Sequence, residues 1–267
     1  MIGADSMSPA SAGGAFRLEP DDVHCWRVGL EVSPETTMAL YFTLAPDERK
    51  RCSRFRNHRD RRRFIVARGA LRDLLGRYVG APADQIHFVY NEFGKPALGP
   101  GFGDRLSFSL SHAGPYALVA VAGGADVGVD VEEVRAHPDC MDIARPFFSA
   151  TEVEQLEQIP EDFRVRAFFG CWTMKEAYVK ARGQGLSIPL SSFSVPVTRD
   201  PADDSLMEIE DASNGVEPAR RWSLYRVRSA PGCVGALAIE GSGRRLVERE
   251  WVAEPVPFDP TEPLRVA

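Results

Sequence analysis

Apolar residues alternate with others at Trp26, Val28 and Leu30, and again from Leu106 to Leu110 (L-S-F-S-L), and both stretches predict strands. Ile86 to Tyr90 predicts a short strand and Tyr116 to Ala122, continuously apolar, a central one. Phe64, Ala67, Leu71, Leu74, Leu75 and Tyr78 recur at helical spacing, so a helix is expected over about 61–79 and is closed by Gly80 and Pro82. A second long helix is expected over about 163–182, after Pro160 and before Gly183 and Gly185. Pro46-Asp47-Glu48 opens a helical stretch, and Ser149 or Thr151 caps a shorter helix through Val153 and Leu156. Further strands are expected at Val127–Glu133, Phe193–Val197, Trp222–Val227 and Cys233–Ile239. Residues 199–220 are acidic and turn-rich and predict a loop. A long helix followed by three strands therefore occurs twice. The expected fold is α+β, with two similar α/β halves related by a pseudo-two-fold axis and the active site in the cleft between them. Residues 1–20 are expected to lack structure, 21–126 to form the N-terminal half, 127–250 the C-terminal half and 251–267 a tail.

Composition narrows the class. A hydrophobic fraction of 44% and a charged fraction of 26% suit a globular protein. No run of apolar residues is long enough for a membrane span, and the first residues lack the basic and apolar regions of a secretory signal. Five scattered cysteines with no C-x-x-C predict reduced thiols and a cytoplasmic location. The net charge of −6 argues against general nucleic-acid binding. Locally the picture reverses: Arg49, Lys50, Arg51, Arg54, Arg56, Arg59, Arg61, Arg62 and Arg63 make a positive field that suits a polyanionic ligand, although most of them must be solvated.

Candidate chemistry lies in two stretches. In Val127–Glu133, strand alternation turns Asp130 and Glu132 to one face and their valine neighbours to the other. Two carboxylates on one face of an apolar strand call for a cation between them, unless that face is simply solvated. In W-T-M-K-E-A-Y-V-K, residues 172–180, Glu176 and Lys180 are one helical turn apart, with Lys175 beside them. A metal-bound phosphate needs this mixture of carboxylate and ammonium, and an exposed helix carries it as an ordinary ion pair. Lys95 sits in the turn N-E-F-G-K-P. His24 and His137 have no evident partner and read as structural or exposed.

Taken as an ordered set, N-E-F-G-K-P at 91–96, F-S-L-S-H at 108–112, G-V-D-V-E at 128–132 and W-T-M-K-E-A-Y-V-K at 172–180 resemble the 4'-phosphopantetheinyl transferases of the surfactin-synthetase-activating type, across about residues 45–240. The resemblance implies a double-length, pseudo-dimeric monomer. It would move the phosphopantetheine arm of coenzyme A to a serine of an apo carrier protein, or of a carrier domain of polyketide, nonribosomal peptide or fatty-acid synthases, with no nucleic acid or membrane involved. It implies Mg²⁺ on Asp130, Glu132 and Glu176. Lys175 and Lys180 would contact the phosphates, and Lys95, Ser111, His112 and Arg51 the nucleotide end, with His112 on the 3'-phosphate. Glu176, directly or through a metal-bound water, would take the proton of the attacking serine, and Lys180 would meet charge on the leaving 3',5'-ADP. Glu48 stands where some relatives carry a basic residue, and Ala113 where many have serine. The competing readings are a nucleic-acid-binding protein using the basic stretch at 49–63 and an inactive interaction protein of the same fold.

Overall fold

A computed structural model describes residues 15–102, 106–135, 140–199, 207–210 and 220–253. His137, most of the expected unstructured N-terminus and most of the tail lie outside them. The chain forms strand β1 (Asp22–Gly29) and helices α1 (Pro34–Thr43), α2 (Pro46–Cys52) and α3 (His58–Val79). Strands β2 (Phe88–Tyr90), β3 (Pro96–Leu98), β4 (Leu106–Ala113), β5 (Tyr116–Gly123) and β6 (Val127–Glu133) follow. Next come α4 (Cys140–Phe147), α5 (Ala150–Gln158) and α6 (Glu161–Arg182), then β7 (Met207–Glu210), β8 (Arg221–Val227), β9 (Cys233–Glu240) and β10 (Arg245–Trp251).

Two four-stranded sheets, β10-β1-β5-β4 and β6-β9-β8-β7, make the middle of the molecule. Their facing sides share one apolar cluster that includes Cys25, Leu118 and Ala120 from one sheet and Val127, Val129 and Leu237 from the other. The outer face of the first sheet packs on α3 through Trp26, Val119 and Leu71, and that of the second on α6 through Trp222, Ala236 and Tyr178. The order of layers is therefore helix, sheet, sheet, helix. No helix among the described residues is long and apolar enough to cross a membrane, and all five cysteines are buried and outside any disulfide.

The long helices end as their glycines predict, with Gly80 and Gly183 in the left-handed conformation (φ 70° and 65°). The basic stretch is broken at 53–57, because Asn57 caps a fresh helix by accepting from the amide of Arg59. Three features depart from the expectation. Phe193–Val197 is not a strand. The carbonyl of Phe193 accepts from Lys175 Nζ and the amide of Val195 donates to Glu152, so side chains take the backbone groups that a ladder would use. Strand β10 was not anticipated, and it crosses from the second half to pair in parallel with β1. The expected loop over 199–220 also contains β7.

His24 is structural. It is buried, its Nδ1 lies 2.5 Å from the hydroxyl of Tyr78, and that hydroxyl also accepts from Trp26 Nε1 at 2.8 Å. Burial, and then the charge of Arg249, lowers its pKa to about 4. Between that value and the unfolded value near 6.5 the unfolded chain binds a proton that the folded chain does not, so stability is complete above this window and falls as the pH drops through it. The loss should reach roughly 3 kcal/mol near pH 4. Melting temperatures measured from pH 7 to pH 4 should fall more steeply for the wild type than for His24→Phe, and equal slopes would remove His24 as the cause.

Candidate active site

The site lies where the edge of the first sheet, β4, meets the edge of the second, β6. The amide of Val129 donates to Ser109 Oγ across this seam at 3.1 Å. Strand alternation in β6 sends Val127, Val129 and Val131 into the core between the sheets, and turns Gly128, Asp130 and Glu132 toward α6. Gly128 sets the distance. A Cβ there would stand 2.1 Å from the carbonyl oxygen of Ala177 and 2.3 Å from the amide of Ala181, so only glycine lets α6 lie directly on β6.

This close packing joins residues from three elements. Lys180 Nζ is 2.6 Å from Asp130 Oδ1 and donates to Ser111 Oγ at 3.0 Å, and Ser111 Oγ donates to the same Asp130 oxygen at 2.7 Å. Asp130 is buried, and its Oδ2 has no hydrogen-bond partner among the described residues. Glu132 and Glu176 both have raised pKa values. For each, burial is the larger cause and the charge of Asp130 the next, with Lys180 opposing. Three carboxylates thus feel the charge of one ammonium, and one buried oxygen of Asp130 is orphaned among the described residues. The carboxylates are not closed into a finished cage, since no group of three or more metal-binding side chains is so arranged among the described residues. The donor set is nonetheless all oxygen and over-charged, which suits a hard divalent cation that keeps water and substrate oxygens.

A cleft of about 530 Å³ leads away from the cluster, lined by Phe55, Asp60, Arg63, Phe64, His112, Glu132 and Phe169 among others. His112 is exposed at its mouth, and its pKa is lowered by the surrounding walls and then by the charges of Lys180, Arg51 and Arg63. Beyond Phe55 a second hollow of about 530 Å³ is lined by Lys50, Arg51 and Arg54. Arg51 lies over the ring of Phe64, 5.1 Å from its centroid. The cleft thus runs from carboxylates to arginines.

Lys175, expected on the phosphates, and Lys95, expected at the nucleotide end, have partners within the fold. Lys175 is fully buried on the far side of α6, donating to Glu152 at 2.7 Å and to the carbonyl of Phe193 at 2.7 Å. Neighbours on a helix diverge by about 100°, so Glu176 faces the seam while Lys175 faces the core. Lys95 donates to the carbonyl of Ala181 at 2.6 Å and to Asp126 at 3.2 Å, while Asn91 donates to the carbonyl of Gly183 at 2.7 Å. The turn at 91–96 therefore caps the C-terminus of α6, where a cation complements the helix dipole. Glu48 is buried between Arg68 and Arg72 at 2.7 Å each and accepts from the amide of Ala45, so it ties α2 to α3.

Arg63, Asp60 and Phe169 were not singled out by sequence. Arg63 stands in a run of similar residues, and only its place in the wall of the cleft shared with His112 selects it. Glu152 had a signal, the S-x-x-E of a capping box after Phe148, which the structure forms with Ser149.

The oxygen-rich seam stands beside an arginine-lined cleft, an arrangement whose chemistry suits a phosphorylated ligand. Comparison with known proteins gives the family. Residues 126–224 match the model of the 4'-phosphopantetheinyl transferase superfamily, and residues 31–123 that of the 4'-phosphopantetheinyl transferase N-terminal region. The chain is 37% identical over 232 residues to the 4'-phosphopantetheinyl transferase HetI of Nostoc sp., covering 85% of this chain and 91% of that protein. It is 33% identical over 169 residues to the 4'-phosphopantetheinyl transferase Sfp of Bacillus subtilis, covering 63% and 73%. A mouse L-aminoadipate-semialdehyde dehydrogenase-phosphopantetheinyl transferase is 25% identical over 169 residues, covering 58% and 53%. The chain belongs to the 4'-phosphopantetheinyl transferase superfamily.

Proposed function

We propose that this enzyme transfers the 4'-phosphopantetheine arm of coenzyme A to a serine of an apo carrier protein at the β4–β6 seam, with Mg²⁺ held by Asp130, Glu132 and Glu176. The observation that carries this reading is the Lys180–Ser111–Asp130 cluster, with its unpartnered Asp130 oxygen beside two carboxylates of raised pKa. The two halves, 21–126 and 127–250, would hold the nucleotide end and the reacting end of coenzyme A respectively. Bound Mg²⁺ would neutralise the pyrophosphate and stabilise charge as the phosphoryl group transfers.

The chain's own residues account for the remaining steps. A serine hydroxyl is a poor nucleophile, so its proton must be taken as it attacks. Glu176 suits this task, directly or through one water, because burial and Asp130 raise its proton affinity. The serine oxygen bonds to the β-phosphorus as the bond from that phosphorus to the bridging oxygen breaks, and 3',5'-ADP leaves with the electron pair. Lys180, anchored by Asp130 and Ser111, would supply the ammonium that meets the developing charge on the leaving group. No covalent enzyme intermediate is required. Lys175 and Lys95, spent on Glu152 and on the end of α6, are left out of this assignment. Carrier domains of polyketide, nonribosomal peptide or fatty-acid synthases are the proposed acceptors, the protein acting as a monomer in the cytoplasm.

His112, Arg51 and Arg63 are proposed to hold the 3'-phosphate. The wild type should therefore use 3'-dephospho-coenzyme A with a kcat/KM lower by about 10- to 100-fold, the worth of a charge-assisted hydrogen bond. His112→Ala should lose much of that preference, because it removes the contact that the analogue lacks. An unchanged preference in His112→Ala would place the 3'-phosphate elsewhere.

A further inference from the structure

The last carbonyls of a helix have no amide ahead of them to bond. At the end of α6 those of Ala181 and Gly183 accept from Lys95 Nζ at 2.6 Å and from Asn91 Nδ2 at 2.7 Å. Both donors stand in the turn between β2 and β3, and Asn91 is 92 residues from Gly183 in sequence. The helix that carries Glu176 and Lys180 is therefore held at its end by a distant part of the chain.

Asn91 is the pivot of that turn. Its Oδ1 accepts from the amides of Phe93 at 3.0 Å and Lys95 at 2.8 Å, which leaves its Nδ2 to face Gly183. Its backbone closes the same turn, the carbonyl accepting from Gly94 at 3.0 Å and the amide donating to Lys95 at 3.1 Å. One side chain thus shapes the turn with its acceptor and grips the helix with its donor. The fit is close, since a Cβ on Gly183 would stand 2.6 Å from Lys95 Cδ. On the other side Gly128 lets β6 touch Ala177 and Ala181. The stretch 177–183, with Lys180 at its middle, is held between β6 and the turn.

We propose that Asn91 is a positioning residue for the transfer reaction: by tying Gly183 to the β2–β3 turn it sets the last turn of α6, and with it the place of the Lys180 ammonium. The proposal rests on the assignment of Lys180 to the developing charge. The Lys180 side chain is about one-third exposed (32%), so packing alone does not fix it. Its bonds to Asp130 and Ser111 run from α6 to β6 and β4, so their lengths depend on where the end of the helix lies. A displacement of about 1 Å at a reacting group can slow a step by about a hundredfold. Asn91 itself is exposed, and one hydrogen bond lost there moves the melting temperature of a chain this size by only about 2–4 °C.

Asn91→Asp separates the two tasks, because it keeps the acceptor for the turn and removes the donor to Gly183. Its kcat for transfer to an apo carrier should fall by about 10- to 100-fold, with KM for coenzyme A within about threefold of wild type and the melting temperature within about 4 °C. Asn91→Ala, which introduces no charge, should show the same split. Lys180→Met alone should be slower than wild type by about 100-fold or more. Adding Asn91→Asp to it should slow it by no more than about twofold, because two changes that act through one group do not add. A wild-type kcat in Asn91→Asp or Asn91→Ala, a raised KM with kcat unchanged, or equal slowing by Asn91→Asp in both backgrounds would overturn the positioning role and leave the assignment of Lys180 standing. A Lys180→Met enzyme of wild-type rate would overturn that assignment and this proposal with it.

Discussion

Asp130→Ala is expected to slow phosphopantetheine transfer by roughly three orders of magnitude, about 4 kcal/mol of transition-state stabilisation. The size follows from what the side chain is proposed to do twice over. One oxygen fixes Lys180 and Ser111, and the other, buried and unpartnered, is offered to the cation. Removing it takes a ligand from the metal and releases the ammonium that meets the leaving group, so both sources of charge stabilisation weaken together. The fold should tolerate the change. Lys180 is about one-third exposed (32%), so its ammonium can turn to water without being stranded in the interior. The measurements are kcat and melting temperature on the same preparation. A kcat within tenfold of wild type, with an unchanged melting temperature, would show that the carboxylate at 130 is structural.

Lys175→Met should do the reverse, lowering stability by about 3–5 kcal/mol, the usual cost of stranding one member of a buried ion pair. Both Lys175 and Glu152 are fully buried, so Glu152 would keep the amides of Ser149 and Val195 and the thiol of Cys171 but lose its ammonium. The pKa of Lys175 is lowered by burial, against the pull of Glu152, so the pair already stands at a desolvation cost that only its geometry offsets. For a chain of this size the melting temperature should drop by roughly 10 °C. Adding Glu152→Gln should recover part of the loss, because it removes the stranded charge and keeps an acceptor for one amide. Coenzyme A affinity, measured well below the melting midpoint, should stay close to wild type. A variant that melts normally but binds coenzyme A many-fold more weakly would return Lys175 to the phosphates.

The long helices and the apolar strands were legible because each is specified locally, by periodicity and by glycines at the ends. The alternation around Asp130 and the one-turn spacing of Glu176 and Lys180 also showed the right faces. What sequence could not show was the partner on the other side of a face. Lys175 and Lys95 have residue types that suit a phosphate, but burial against Glu152 and capping of α6 are facts of three-dimensional packing. The strand expected at 193–197 was lost for the same reason, since Glu152 and Lys175 claim its backbone groups. Strand β10 lacked a clear signal because polar residues at Arg245, Glu248 and Arg249 interrupt it on an edge of the first sheet, where one side of the ladder is unpaired.

The most direct test of the central claim is to incubate the protein with coenzyme A, Mg²⁺ and an apo carrier domain and to weigh the carrier by mass spectrometry. The account predicts that the carrier gains the mass of one phosphopantetheine arm on its serine, that chelator abolishes the gain and that added Mg²⁺ restores it. A carrier that stays unmodified with active partners of several types, or one modified equally well in chelator, would contradict it.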